Sequence, residues 1–348
     1  MSAVGSSNPG YVVARVRARR GQLYGDEEYR KLVRMSPAEI ARFMEESTYE
    51  SAINALGSRH GGVDLVEYAL NQNLAVQFEA ILEWSEGELY DLVARYLRKF
   101  DAWNLKTVIR GVYTGASREA VEADLIRAGE FDDRQIRRLL DADSIEAVVE
   151  AVEETIYDEP LQAAYPAFEE SDVLVPLENA VDRAFYDRLL TGLPGGEPVR
   201  QYEAFLEAEV DFRNAANALR LARSGAEIDP AEYFIDGGQL FTRTSLARLA
   251  RNLDELVEYV AGSQYADDLG PALRELEEAD SLIAFEQATD AALLAYADKL
   301  GTIHPVSVTP VISYILAKER EVENIRAIAR GKEAGLSADA IESELVIT

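Results

Sequence analysis

The sequence contains no cysteine, which excludes disulfides, a thiolate nucleophile and any Cys-based zinc or iron–sulfur centre. Histidine is almost as scarce, with only His60 and His304 able to supply an imidazole. His60 lies in Ser-Arg-His-Gly-Gly and His304 precedes Pro305, so both read as loop residues. Neither has a second His at helical ligand spacing. Long apolar runs are missing too. The stretch Val308 to Ala317 is broken by Thr, Pro, Ser and Tyr and falls short of the roughly 18 residues a membrane span needs. The opening Met1 to Pro9 lacks an apolar core, so no signal peptide is expected. The expectation is a cytoplasmic chain that meets a membrane only through a partner.

Positive charge is the other shortage. Against 63 Asp+Glu stand 35 Lys+Arg, for a net charge of −28. Such a chain repels phosphate backbones, and no nucleic-acid partner is expected. The one dense basic cluster, Arg15, Arg17, Arg19 and Arg20, precedes Asp26, Glu27 and Glu28 and reads as a solvated helix face. The few lysines are Lys31, Lys99, Lys106, Lys299, Lys318 and Lys332. Acid excess with arginine as the main cation suits solubility in very high salt.

What is present is a soluble helical pattern. The chain has 348 residues, 48% hydrophobic, enough for two or three domains with real cores. From 65 to 84, Leu65, Ala69, Val76, Phe78, Ile81 and Leu82 recur at steps suiting a helix, and 88–114, 178–191, 198–222, 282–300 and 308–333 read alike. Ser36-Pro37-Ala38-Glu39 and Asp229-Pro230-Ala231-Glu232 mark helix starts. Gly115, Gly225 and Gly335 mark stops. No paired alternating runs suggest a hairpin. The fold class is all-α.

The chain also repeats itself. Asp101, Asn104, Arg110 and Gly115 recur as Asp211, Asn214, Arg220 and Gly225, and again as Glu321, Asn324, Arg330 and Gly335, each step 110 residues. Gly21-Gln22-Leu23, Gly129-Glu130-Phe131 and Gly238-Gln239-Leu240 keep nearly the same step. So do Ser47-Thr48-Tyr49, Thr155-Ile156-Tyr157 and Ser263-Gln264-Tyr265. Glu67-Tyr68-Ala69-Leu70-Asn71 matches Glu178 to Asp182 and Glu286 to Asp290. Three helical modules are expected over 11–123, 124–232 and 233–348, after a flexible stretch 1–10. The recurring polar residues are read as structural: the Asn hydrogen-bonding a neighbouring helix end, the carboxylate pairing an Arg.

Catalytic signatures are absent. There is no phosphate-binding Gly loop and no nucleophile elbow. Asp132-Asp133 reads as a helix N-terminus and Asp267-Asp268 as part of a Gly-bounded loop, not as a magnesium site. No catalytic, cofactor-binding or metal residue is assigned.

Several strings carry a family resemblance: Tyr11-Val-Val-Ala-Arg-Val-Arg-Ala-Arg, Ser-Thr-Tyr49, Phe100-Asp-Ala-Trp-Asn-Leu-Lys106 with Arg110-Gly111, and Glu323-Asn324-Ile-Arg326-Ala-Ile-Ala-Arg330-Gly-Lys332. With these strings and the threefold repeat, the chain resembles the C subunits of archaeal A-type and bacterial V-type ATP synthases, relatives of the d subunit of the vacuolar proton pump. The resemblance implies three helical domains in a funnel about a pseudo-threefold axis. It implies partners as well: the D and F subunits of the central shaft on one side and the membrane proteolipid ring on the other. The role so implied is transmission of torque in proton- or sodium-coupled ATP synthesis, as a peripheral protein at the cytoplasmic face of the membrane. No small-molecule substrate or cofactor is implied, and the chain would be monomeric outside the complex. The acid excess departs from mesophilic relatives and suits molar salt, which screens charges beyond about 3 Å. The competing reading is a stand-alone helical scaffold or a carboxylate-based helical enzyme.

Overall fold

The computed structural model describes residues 7–224, 229–278, 282–342 and 345. The predicted stop at Gly225 and residues 1–6 of the N-terminal stretch lie outside them. Two compact units emerge, one made of 1–151 with 306–348 and the other of 152–305.

The first unit opens with α1 (Pro9–Arg20), α2 (Asp26–Leu32), α3 (Pro37–Met44), α4 (Glu50–Leu56) and α5 (Gly62–Trp84). It continues through α6 (Glu88–Leu97), α7 (Lys99–Thr114), α8 (Arg118–Asp124), α9 (Asp133–Leu140) and α10 (Ile145–Ala151). The second unit holds α11 (Asp158–Ser171), α12 (Val175–Leu190), α13 (Glu197–Ser224), a 3-10 turn at Pro230–Tyr233, α14 (Arg243–Leu249), α15 (Leu253–Ala261), α16 (Ala266–Glu278) and α17 (Leu282–Ile303). The chain then returns to the first unit with α18 (Thr309–Glu333) and α19 (Ala338–Glu342). Among the described residues there is no strand. The protein is all-α.

Local chemistry accounts for the helix limits. Pro9, Pro37, Pro176 and Pro310 sit in first turns, where a missing N–H costs nothing. At α3 the Glu39 carboxylate accepts the Ser36 N–H at 2.8 Å, closing a capping box. Gly115 and Gly335 take φ of +69° and +76°, which glycine adopts without a Cβ penalty. Just past them, the Ala116 and Leu336 N–H groups reach back to the Gly111 and Gly331 carbonyls, both at 2.9 Å.

Three expectations need correction. The predicted helix 88–114 is two helices that meet at Arg98, because the apolar period runs unbroken through Leu97 and Phe100 and hides the bend. Asp229-Pro230 starts only a single 3-10 turn, since Phe234 and Ile235 must extend into the core. Asp267 and Asp268 lie in the first turn of α16 rather than in a loop. Acids there complement the helix dipole. The pair Asp132-Asp133 is a helix start as expected, with Asp132 Oδ1 accepting the Gln135 N–H at 2.8 Å.

Both cores are apolar and helix-on-helix. In the first unit α18 packs on α5 and α1, burying Val311, Ile312, Ile315, Val322, Ile325 and Ile328. In the second, Phe212 meets Tyr265 edge-on at 5.2 Å, and Tyr265 meets Tyr296 at 6.0 Å, among Ala215, Leu246, Leu256 and Phe285. The repeats and the packing are out of step. The last long helix of each repeat packs on the opening segments of another: α7 on α9 and α10, α13 on α14 and α15, and α18 on α1, α2 and α3.

Candidate functional site: three related clamps

Along 101–110, 211–220 and 321–330 the order of buried, half-buried and exposed positions is the same, residue for residue. The carboxylate is buried first, the Asn fourth, and the Arg tenth and exposed. Each long helix therefore presents a carboxylate and an Asn amide to its core.

In α7, Asp101 accepts the N–H groups of Glu130 at 2.7 Å and Phe131 at 3.0 Å. Asn104 takes both backbone groups of Ile126, its N–H and its carbonyl, each at 2.8 Å. In α13, Asp211 accepts from Gln239 at 2.8 Å and Leu240 at 2.9 Å, while Asn214 takes Ile235 N–H at 3.0 Å and C=O at 2.8 Å. These loops carry backbone groups without helix partners, and the side chains supply the missing bonds. The recurring carboxylates thus serve backbone N–H groups, not the recurring arginines. Arg330 instead meets Glu67 of α5.

The glycine of two of the three loop markers follows from this geometry. A Cβ at Gly129 or Gly238 would stand 2.1 Å from an oxygen of Asp101 or Asp211. At Gly21 the nearest atom would be 3.6 Å away. Gly129→Ala and Gly238→Ala should each cost about 2–3 kcal/mol through overpacking against a fixed carboxylate. Gly21→Ala should change stability little. Chemical denaturation of the three variants checks this, and equal losses at all three positions would refute it.

The tyrosine-bearing marker is explained as well. Ser47, Thr155 and Ser263 each donate to the carbonyl three residues back at 2.7 Å and accept the N–H of Tyr49, Tyr157 and Tyr265 at 3.3, 3.2 and 3.1 Å. All three tyrosines are buried and directly precede a helix.

The α18 clamp differs. Glu321 accepts the Tyr24 N–H at 2.9 Å, the Tyr49 hydroxyl at 2.9 Å and the Lys318 ammonium at 2.6 Å. Lys318 also donates to the Tyr49 hydroxyl at 2.9 Å and lies 4.1 Å from its ring centre. Lys318, Glu321 and Tyr49 are all at most 2% exposed. Burial pushes the Lys318 ammonium below its ordinary range and the Tyr49 hydroxyl well above its own. Asn324 is buried but meets the Tyr29 hydroxyl, since α1 remains helical through Arg20 and offers no open loop like those at Ile126 and Ile235. Motif and repeat do not single out Lys318. Its signal lies in the stripe Val311, Ile315, Lys318, Val322, Ile325, a charge at a core position.

Burial raises Asp101 to about 6, against the pull of the Phe131 and Glu130 N–H groups. Its folded pKa exceeds the unfolded value, so the folded state binds the proton more tightly. Stability tied to this group is present below the unfolded pKa and is lost as pH rises from about 4 to about 6, by roughly 2–3 kcal/mol. Denaturant titrations of wild type and Asp101→Asn should show their difference shrinking over that window and flat above it.

The remaining chemistry is sparse. His60 lies in a loop with its ring 4.4 Å from that of Tyr68, and His304 follows α17. Among the described residues no three His, Asp or Glu side chains converge to hold a metal ion. No helix among them is long and apolar enough to cross a membrane.

Comparison with known proteins gives a consistent result. The sequence pattern of the ATP synthase (C/AC39) subunit family matches residues 12–344. The chain is 82% identical over 348 residues to the C subunit of the A-type ATP synthase of Halorubrum lacusprofundi, covering all of both chains. It is 70% identical over 347 residues to the C subunit of Haloferax volcanii, again end to end. With the C subunit of Methanococcoides burtonii it shares 35% over 348 residues, covering 98% of this chain and 95% of the other. A match spanning the whole repeat, on a fold whose recurring polar groups hold backbone in place, leaves one assignment: the chain belongs to the ATP synthase (C/AC39) subunit family.

Proposed function

We propose that the chain is the non-catalytic C subunit of an A-type ATP synthase and links the D and F subunits of the central shaft to the membrane proteolipid ring. In that position it transmits torque during proton- or sodium-coupled ATP synthesis. The observation that carries the reading is the end-to-end match to proteins of that name. The clamps support it, because a torque coupler needs helices locked to their neighbours, and here buried side chains fix loops to helices three times over. The repeats over 11–123, 124–232 and 233–348 are read as three modules of this coupler. It acts as a peripheral protein at the cytoplasmic face of the membrane, and is monomeric when released.

The test is affinity capture of the tagged chain from its own membranes in high salt, followed by mass spectrometry. Recovery of D, F, the ring proteolipid and the catalytic subunits is expected. Recovery of the chain alone, under conditions in which the ATP synthase stays assembled, would sink the proposal.

A further inference from the structure

Three separate stretches of sequence meet at one end of the first unit. The Asn8 side chain donates to the Trp84 carbonyl at 2.8 Å and accepts the Glu86 N–H at 3.0 Å, tying the start of α1 to the end of α5. Gly10 lies against Val306, where a Cβ would stand 3.9 Å from Val306 Cγ1. This end leaves apolar surface open: Tyr11 is 50% exposed, Val306 is 64% exposed, and Trp84 is half-buried.

A cation sits among them. The Arg15 guanidinium lies 4.6 Å from the Tyr11 ring centre and 4.7 Å from that of Trp84, and Arg19 lies 4.2 Å from Trp84. Arg19 also donates to the Gln77 carbonyl at 3.1 Å. Arg15 is exposed, and among the described residues its partners are the two rings. Several other arginines find carboxylates, as Arg98 does in Glu130 and Arg127 in Glu122 and Asp133. In a chain with 63 acids, Arg15 nonetheless stacks on two rings and keeps its in-plane donors unspent. Stacking fixes the guanidinium plane while leaving those donors usable, which lowers the ordering cost of a later contact.

We infer that Tyr11, Arg15, Trp84 and Val306 form a docking surface for another protein subunit, one that presents a carboxylate beside an apolar side chain. The carboxylate receives the Arg15 N–H groups, and the apolar side chain covers Tyr11 and Val306. Trp, Tyr and Arg are the residue types that carry most binding energy at interfaces. Charge decides the class of partner. Glu83 and Glu86, both exposed, flank Trp84 and repel a continuous anionic surface such as a lipid bilayer, whereas a single carboxylate can be drawn to Arg15. Direct contact also lies within the roughly 3 Å over which charges still act in molar salt. The inference rests on the reading that this chain works inside a larger assembly of different proteins.

Arg15→Gln and Val306→Glu alter exposed groups and should leave the melting temperature of the free chain unchanged. Each should lower the amount of chain that co-purifies with the assembled ATP synthase by about tenfold. A photo-reactive benzoylphenylalanine in place of Tyr11 should cross-link, in the purified complex, to an Asp- or Glu-bearing peptide of another subunit. Both variants co-purifying at the wild-type level would overturn the surface, as would cross-links only to lipid, only to a second copy of this chain, or to nothing. Failure of the wild-type chain itself to co-purify would instead count against the assembly reading.

Discussion

Replacing Lys318 by methionine is expected to destabilise the protein by about 3–5 kcal/mol, more than replacing Lys318 and Glu321 together. The single change leaves the Glu321 carboxylate buried without its cation. Two hydrogen bonds, from Tyr49 and Tyr24, remain to it, and water cannot replace the third. The double variant Lys318→Met with Glu321→Leu removes both charges, and such exchanges are often neutral where packing is kept. It does leave the Tyr24 N–H and the Tyr49 hydroxyl without their acceptor, at about 1–3 kcal/mol for such unsatisfied groups. Equilibrium unfolding in constant salt should rank wild type first, with the double variant second and Lys318→Met last where the uncompensated charge costs more than the two lost acceptors together. A double variant worse than the single one would show that the pair itself is net stabilising. Because Glu321 joins α18 to the loop before α2 through the Tyr24 N–H, amide exchange at Tyr24 should rise in the double variant, which removes that acceptor.

Helix content is legible in the sequence because period, proline at first turns and glycine at φ above zero act locally. The recurrence is legible too, since Asp101, Asp211 and Glu321 solve one problem in three places. The identity of that problem is not. An Asp three residues before an Asn on a helix looks alike whether it faces an arginine or a loop backbone, and only the packing of α7 against the 129–131 loop separates the two. The break at Arg98 escapes for a related reason, as hydrophobic spacing alone does not register a bend that keeps Leu97 and Phe100 both buried. The third clamp escapes because its partners lie far off in sequence, 297 residues between Tyr24 and Glu321 and 272 between Tyr49 and Glu321. The difference at Gly21 is legible only in the structure. A longer Glu reaches Tyr24 rather than the residues next to the glycine, and so the glycine there is not sterically required.

Asn214→Leu is expected to lower the melting temperature by several degrees while leaving partner affinity nearly unchanged. Asn214 is fully buried and satisfies both backbone groups of Ile235. Leucine of similar size keeps the volume but supplies neither donor nor acceptor. Two buried backbone groups then lose their partners, at about 1–3 kcal/mol each. For a unit of this size, a loss of 1 kcal/mol shifts the midpoint by roughly 2–4 °C, so the change is well within reach of calorimetry. The substitution touches no surface, because the Asn214 side chain and Ile235 lie inside the second unit. Co-purification with the assembled ATP synthase at a temperature well below the lowered midpoint should therefore stay at the wild-type level. An unchanged midpoint with lost co-purification would instead make Asn214 a contact residue, and the clamp at Ile235 incidental to stability.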